Sequence, residues 1–200
     1  MEAFFKDLEI KIQEAVKSEM PKILKNIGNE KIYAIALVTD HDCITLFLAV
    51  NTYEYMEKTD KKYIDSGYLS EEDIKRFKEG TGSLTKWMAS EWGYSDENYS
   101  QFNDISKLLY DKEASISEIE YEDYDKEDEA YQKYKSLFFD TVTSAFKHLI
   151  EENVFGEHSE EITFFVSMTD DDMAMEIENH SAKLLNPKNV YEAFLKRYIL

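Results

Sequence analysis

The chain is expected to fold as an α+β domain, with an antiparallel sheet of about three or four strands packed by several helices. Three observations carry this expectation. Two adjacent runs, IYAIALV at 32–38 and CITLFLAV at 43–50, are apolar in both alternation sets and rich in β-branched and aromatic residues. A later run, ITFFVSM at 162–168, alternates Ile162, Phe164, Val166 and Met168 with Thr163, Phe165 and Ser167. The remaining segments repeat apolar residues at spacings of three and four, the period of an amphipathic helix.

In chain order, Phe5, Leu8, Ile12, Val16, Met20, Ile23 and Ile27 predict a helix over 2–27. Pro21 inside it predicts a kink, or an end near Ser18 and a second short helix. Gly28-Asn29 stops it. The two strands then follow. Ile32, Ala34, Ala36 and Val38 are expected on one face, and Tyr33, Ile35 and Leu37 on the other. Apolar character on both faces means burial on both. Thr39-Asp40-His41-Asp42 suits the turn that makes the strands antiparallel neighbours.

Asn51 or Thr52 caps a helix over Tyr53 to about Lys62, with Tyr53 and Met56 facing inward. Ser70-Glu71-Glu72-Asp73 resembles a capping box and opens a short helix that ends at Gly80. Leu84–Tyr94 is read as a third, irregular strand. Asp96 is read as the cap of a helix that buries Tyr99, Phe102, Ile105 and Leu109. A long helix spans Tyr131–Val154, and Asn153–Ser159 forms a turn. After the run at 162–168, Thr169 or Asp170 caps a helix carrying Met173, Ile177 and Leu184. Asn186-Pro187 then starts the last helix, whose apolar face is Val190, Tyr191, Phe194, Leu195 and Tyr198.

The length of 200 residues suits a single domain, expected over 1–200, and 43% hydrophobic residues can bury a sizeable core. One cysteine, Cys43, excludes an intramolecular disulfide and fits a reducing cytoplasm; it is placed in a buried strand. The first residues are charged too early for a signal peptide, and no apolar run reaches roughly 18 residues. A soluble, cytoplasmic protein is the expectation. The net charge of −19 disfavours nucleic acid and anionic membranes and favours a basic partner, or solubility alone.

The charge is concentrated between 111 and 129, where Asp111, Glu113, Glu118, Glu120, Glu122, Asp123, Asp125, Glu127, Asp128 and Glu129 face only Lys112 and Lys126. Like charges this dense repel, so the run is read as an exposed segment, a loop leading into a helix.

No motif nominates a catalytic residue. His41, His148, His158 and His180 lack metal-ligand spacing, so neither a metal nor another cofactor is expected. His41 between Asp40 and Asp42 fits a cation site, a proton shuttle or a solvated turn. His148 and His180 read as packed or hydrogen-bonded histidines. Asp170-Asp171-Asp172 departs from the calcium-loop pattern and suits a helix start through the macrodipole. Gly80-Thr81-Gly82-Ser83 lacks the lysine of a phosphate-binding loop. Trp87, Glu91 and Trp92 mark either a ligand pocket or core packing against the sheet.

Three segments together resemble a bacterial family, domain-of-unknown-function family 4303. They are IYAIALVTDHDCITLFLAVNT at 32–52, KWMASEWGY at 86–94 and ITFFVSMTDDDMAMEIENHSAKLLNP at 162–187. The shared pattern is a strand, a polar turn, a second strand ending in Asn-Thr, a W-x-x-x-E-W segment and a late Asn-Pro. Members occur near bacterial polymorphic toxin and immunity loci, so the resemblance implies an immunity-type protein. It carries over no catalytic residue.

The expected function is therefore a cytoplasmic immunity protein that neutralises a cognate protein toxin, basic and nuclease-type, by direct contact. Charge steering supplies the on-rate. The expected contact patch is Glu118, Glu120, Glu122, Asp123, Asp125 and Asp128, with Tyr121 and Tyr124 as anchors. The alternative is a small-molecule-binding protein or enzyme with its pocket beneath Trp87–Tyr94. A third reading is a structural or phage-defence component that forms a homo-oligomer.

Overall fold

A computed structural model of the chain describes residues 1–79, 83–96, 100–117, 124–156, 161–169 and 171–197, with backbone alone at 76–78, 117 and 124–128. The first strand, β1 (Ile32–Thr39), is apolar on both sides and almost wholly buried. It lies inside a four-stranded sheet of order β3-β2-β1-β4. The neighbours are β2 (Phe47–Thr52), β3 (Tyr94–Ser95) and β4 (Thr163–Met168). β2 runs antiparallel to β1, β3 antiparallel to β2, and β4 parallel to β1. The α+β class holds, with a sheet that is mostly antiparallel and mixed at β4.

The two faces of the sheet differ in side-chain size. On one, Ile35, Leu37, Leu48, Val50, Phe164 and Val166 meet α1 (Glu2–Ile27), α4 (Gln101–Ser117) and α5 (Tyr124–Glu151). On the other, Ala34, Ala36 and Ala49 leave room for aromatic rings. Trp92, Phe165 and Phe194 fill that room, beside Met56 of α2 (Tyr53–Asp65) and Ala182 of α6 (Ala174–Leu185); Phe194 is the last residue of the final helix, α7 (Lys188–Phe194). A short helix, α3 (Glu71–Glu79), follows α2. Among the described residues no helix is long and apolar enough to cross a membrane.

The expected face assignment fails at one end of β1. A register shift between Ile32 and Ala34 moves Tyr33 onto the alanine face and Ile32 toward the aliphatic one. One bulged residue inverts the alternation on its far side. The turn is also longer than expected, because β2 begins at Phe47. Cys43 is buried, but in the turn at φ +57° rather than in a strand. The Asp40 carboxylate orders this turn by accepting from the Ile44 N–H (2.9 Å) and the Thr45 hydroxyl (2.8 Å). Burial pushes the Cys43 thiol up to about 12, so it stays protonated and unreactive at neutral pH.

α1 runs unbroken through Pro21, and Gly28 (φ +64°) ends it as expected. Thr52 caps α2 by accepting from the Tyr55 N–H at 3.1 Å. Met56 is buried, but Tyr53 keeps 38% of its surface exposed, against the inward placement expected for it. The region 84–94 is not an extended strand. It holds a 3-10 turn at Ala89–Glu91 and only the two residues of β3. Asp96 accepts from the β2 amide of Leu48 (2.8 Å), while Ser100 accepts the Phe102 N–H at the α4 start (3.2 Å). α4 and α5 extend further than expected, so residues 111–117 and 124–129 are helical. Met173 and Leu184 are about half exposed, and the buried face of α6 is Glu178, Ser181, Ala182 and Leu185. Leu195 is likewise exposed at 38% while Phe194 is buried. Tyr99, Tyr198, Asp170 and 80–82 lie outside the described residues.

Side chains, not further strands, close both edges of the sheet. At β4, Asn186 accepts the Phe164 N–H (2.8 Å) and donates to the Phe164 carbonyl (2.6 Å). Ser181 accepts the Val166 N–H at 2.9 Å. Asn186 therefore serves the strand edge and the end of α6; it does not cap α7, whose flanking residue is Pro187. At β2, Ser106 accepts the Leu46 N–H (3.1 Å) beside the Asp96 bond. An open strand edge templates association, and these bonds blunt it. Asn186→Ala leaves a buried amide and carbonyl unmet and is expected to cost about 2 kcal/mol. Urea midpoints measure the loss, and light scattering near the midpoint should show increased association.

Candidate functional site

The stretch 83–87 is held by its backbone. Asp60 of α2 accepts from the Leu84 N–H, the Thr85 N–H and the Thr85 hydroxyl, all at 2.9–3.0 Å. Ser83 accepts the Lys86 N–H at 3.0 Å. The Lys86 carbonyl accepts from the Tyr33 hydroxyl (2.6 Å) and the Trp92 indole (3.2 Å). Asn51 in turn donates to Tyr33 at 3.0 Å. Gly93 completes the segment: a Cβ there would lie 2.4 Å from the Tyr55 ring, so only glycine fits.

This scaffold aims Lys86 into a cleft of about 370 Å³ between the start of α2, the start of β4 and α7. Its ammonium sits over the rings of Trp87 (5.2 Å), Tyr33 (5.8 Å) and Tyr53 (6.0 Å). Burial holds its pKa below the usual lysine range. Each ring contact contributes about 0.5–2 kcal/mol. Removing an ammonium from water costs several kcal/mol. Lys86 is only half-buried and bears part of that cost; the three rings offset some of it, and the lowered pKa marks the remainder.

Trp87, Glu91 and Trp92 do not form one pocket. Trp87 lines the Lys86 cleft and packs edge-on to Phe194 and Phe165. Trp92 is core, 9% exposed, with its indole N–H spent on Lys86. Glu91 faces a separate groove along α2, beside Tyr63, whose phenol it holds above its ordinary range. The 3-10 turn between the tryptophans separates their directions, and spacing alone could not reveal it.

The cleft floor contains a buried ion pair that the sequence reading missed. Arg197 (4% exposed) binds Glu178 (6% exposed) at 2.9 Å, and also Asn179 at 2.6 Å. Its guanidinium lies 3.7 Å from the Phe194 ring centroid, and Ser167 donates to Glu178 at 2.7 Å. Removing Arg197 alone would strand a buried carboxylate. Arg197→Met is expected to cost about 3–5 kcal/mol, and the double variant Arg197→Met/Glu178→Leu distinctly less. Chemical denaturation of the two variants checks the order.

At the opposite end of β1 lies an acidic face. The Tyr131 hydroxyl of α5 donates to Asp42 in the β1–β2 turn at 3.2 Å. Burial, then Asp42, then Cys43 and Glu113 of α4 push the Tyr131 phenol well above its ordinary value. His41, in the same turn, pairs with Asp171 from the β4–α6 loop. The Met173 N–H and then His41 hold the Asp171 carboxyl below the usual range. Lys135 lies over the Tyr131 ring at 4.9 Å. His41 is thus the side-chain partner of Asp171, tying the β1–β2 turn to the loop before α6. His148 bonds Gln13 and Glu9 at the surface, the hydrogen-bonded reading of the two expected. His180 is exposed, and His158 lies outside the described residues.

Of the expected contact patch, Glu118, Glu120, Tyr121, Glu122 and Asp123 lie outside the described residues. Tyr124, Asp125 and Asp128 stand in the first two turns of α5. Tyr131 is seven residues past Tyr124, about 10 Å along the helix axis. The start of α5 is therefore on the same end of the molecule as Asp42 and Asp171.

A family model described as "Domain of unknown function (DUF4303)" matches residues 12–187. No curated protein and no solved structure matches the chain.

Proposed function

The chain belongs to this family, and from that premise we propose that it is a cytoplasmic immunity-type protein that neutralises a cognate basic toxin of the nuclease kind by direct contact. One observation carries the reading. Carboxylates from separate segments, Asp40 and Asp42 of the turn, Glu113 of α4 and Asp171 before α6, gather around Tyr131 and Tyr134 at the end where α5 starts. Through Glu113, the described α4 part of the acidic run thus joins a larger acidic face. A surface that must approach phosphates is basic, and an acidic cover meets it with long-range attraction. Inhibition then needs no chemistry from the inhibitor, only occlusion.

Steering of this kind is screened by salt, with a Debye length of about 8 Å at physiological ionic strength. Affinity capture from the native cells at low and moderate salt is the test, with bound proteins identified by mass spectrometry. A single basic protein released as salt rises is expected. The quadruple variant Glu120→Lys, Glu122→Lys, Asp123→Lys, Asp125→Lys should slow association with that protein by about tenfold or more, with an unchanged unfolding midpoint. Asp42→Lys should act in the same direction. Capture that is indifferent to both salt and charge reversal would remove the acidic face from the account.

A further inference from the structure

The cleft at Lys86 lies away from the acidic face and carries the opposite sign. Its floor and rim pair off their own charges: Arg197 with Glu178, and Glu161 with Lys31 at 3.1 Å. Among the described residues the Lys86 ammonium has no hydrogen-bond or ion-pair partner, and the exposed Lys196 stands at the rim. In a chain of net charge −19, a concave site lined by Lys86, Lys196 and Arg197, whose one carboxylate among the described lining residues, Glu161, pairs with Lys31, is a local inversion of charge. The backbone of 83–87 is fixed by bonds to Asp60, Ser83, Tyr33 and Trp92, so the lysine is held in place before any ligand arrives. Only the ammonium is left without a polar partner.

We propose that this cleft binds a small oxyanion-bearing molecule, with its carboxylate or phosphate against Lys86 and a planar body against Trp87 and Tyr53. The volume of about 370 Å³ lies near the lower end of the roughly 300–1,000 Å³ of small-ligand sites, which suits a single-ring ligand. The ring faces that hold the ammonium also exclude water from one side, which strengthens an ion pair formed there. Tyr53, 38% exposed at the mouth, is the wall such a ring would cover. The site is independent of the proposed toxin contact, which uses the other end of β1.

Isothermal titration calorimetry on the full chain, in a buffer without oxyanions, tests this with benzoate, phenyl phosphate and the neutral benzamide. At least one anion should bind saturably at millimolar concentration, and benzamide at least about tenfold more weakly, a difference of about 1.4 kcal/mol. The stronger of the two anions identifies the oxyanion class. Lys86→Met should abolish anion binding. It should also raise the unfolding temperature, because it removes a charge whose burial is only partly compensated. A second measurement needs no variant. Binding by the wild-type chain should weaken as pH rises through the Lys86 pKa, at a pH below that of an ordinary lysine. Failure of both anions to bind, equal binding of benzamide, or anion binding retained by Lys86→Met would each overturn the proposal.

Discussion

The structure depends on the burial of β1 on both faces. A strand buried on both faces needs a covering layer on each side, and each cover must match its face. The branched side chains Ile35 and Leu37 meet long helices, whose ridges are wide. The alanines 34 and 36 meet flat rings, which approach the backbone closely. The same asymmetry decides where a site can form. Helices α1, α4 and α5 seal the aliphatic face. On the alanine face short elements meet, and their junction leaves the cleft at Lys86.

The second constraint is the satisfaction of backbone groups at the sheet edges. With only two residues in β3 and no strand beyond β4, the ladder ends early on both sides. Ser181 and Asn186 on one side, and Ser106 and Asp96 on the other, take the place of missing strands. Each of these residues also belongs to a helix or its approach, so edge closure and helix docking are one event. The register of α6 on β4 is therefore set by hydrogen bonds rather than by apolar fit, which leaves Met173, Met175 and Leu184 half exposed.

Charge is distributed along the same axis. One end of β1 gathers carboxylates around Tyr131. The other end, near Lys31, opens onto the lysine cleft. A chain with 42 acidic and 23 basic residues carries net self-repulsion, which solvent screens where the acids are exposed. Its one deep ion pair, Arg197–Glu178, is surrounded by Ser167, Asn179 and the Phe194 ring. Ser167 and Asn179 bond further polar atoms of the pair, which offsets part of its desolvation.

The amino-acid sequence by itself determined the first two strands and their antiparallel pairing, the strand at 163–168, the helix-ending glycine at 28 and the Thr52 cap, but not the 3-10 turn at 89–91, where a strand was expected. These follow from period and local backbone chemistry, which a few neighbouring residues dictate. It also determined that acids crowd 111–129. Tertiary structure alone decided that Tyr33 turns to the alanine face, because a single bulge is invisible to alternation. It decided that Asn186 serves a strand edge instead of a helix start, because both uses draw on the same side chain. It separated Trp87 from Glu91, and it brought Asp42, Glu113 and Asp171 together across more than a hundred residues of chain. Lys86 read as one surface lysine among many. Only the meeting of α2, β4 and α7 around it half-buried its ammonium against three rings and, among the described residues, left it without a carboxylate partner.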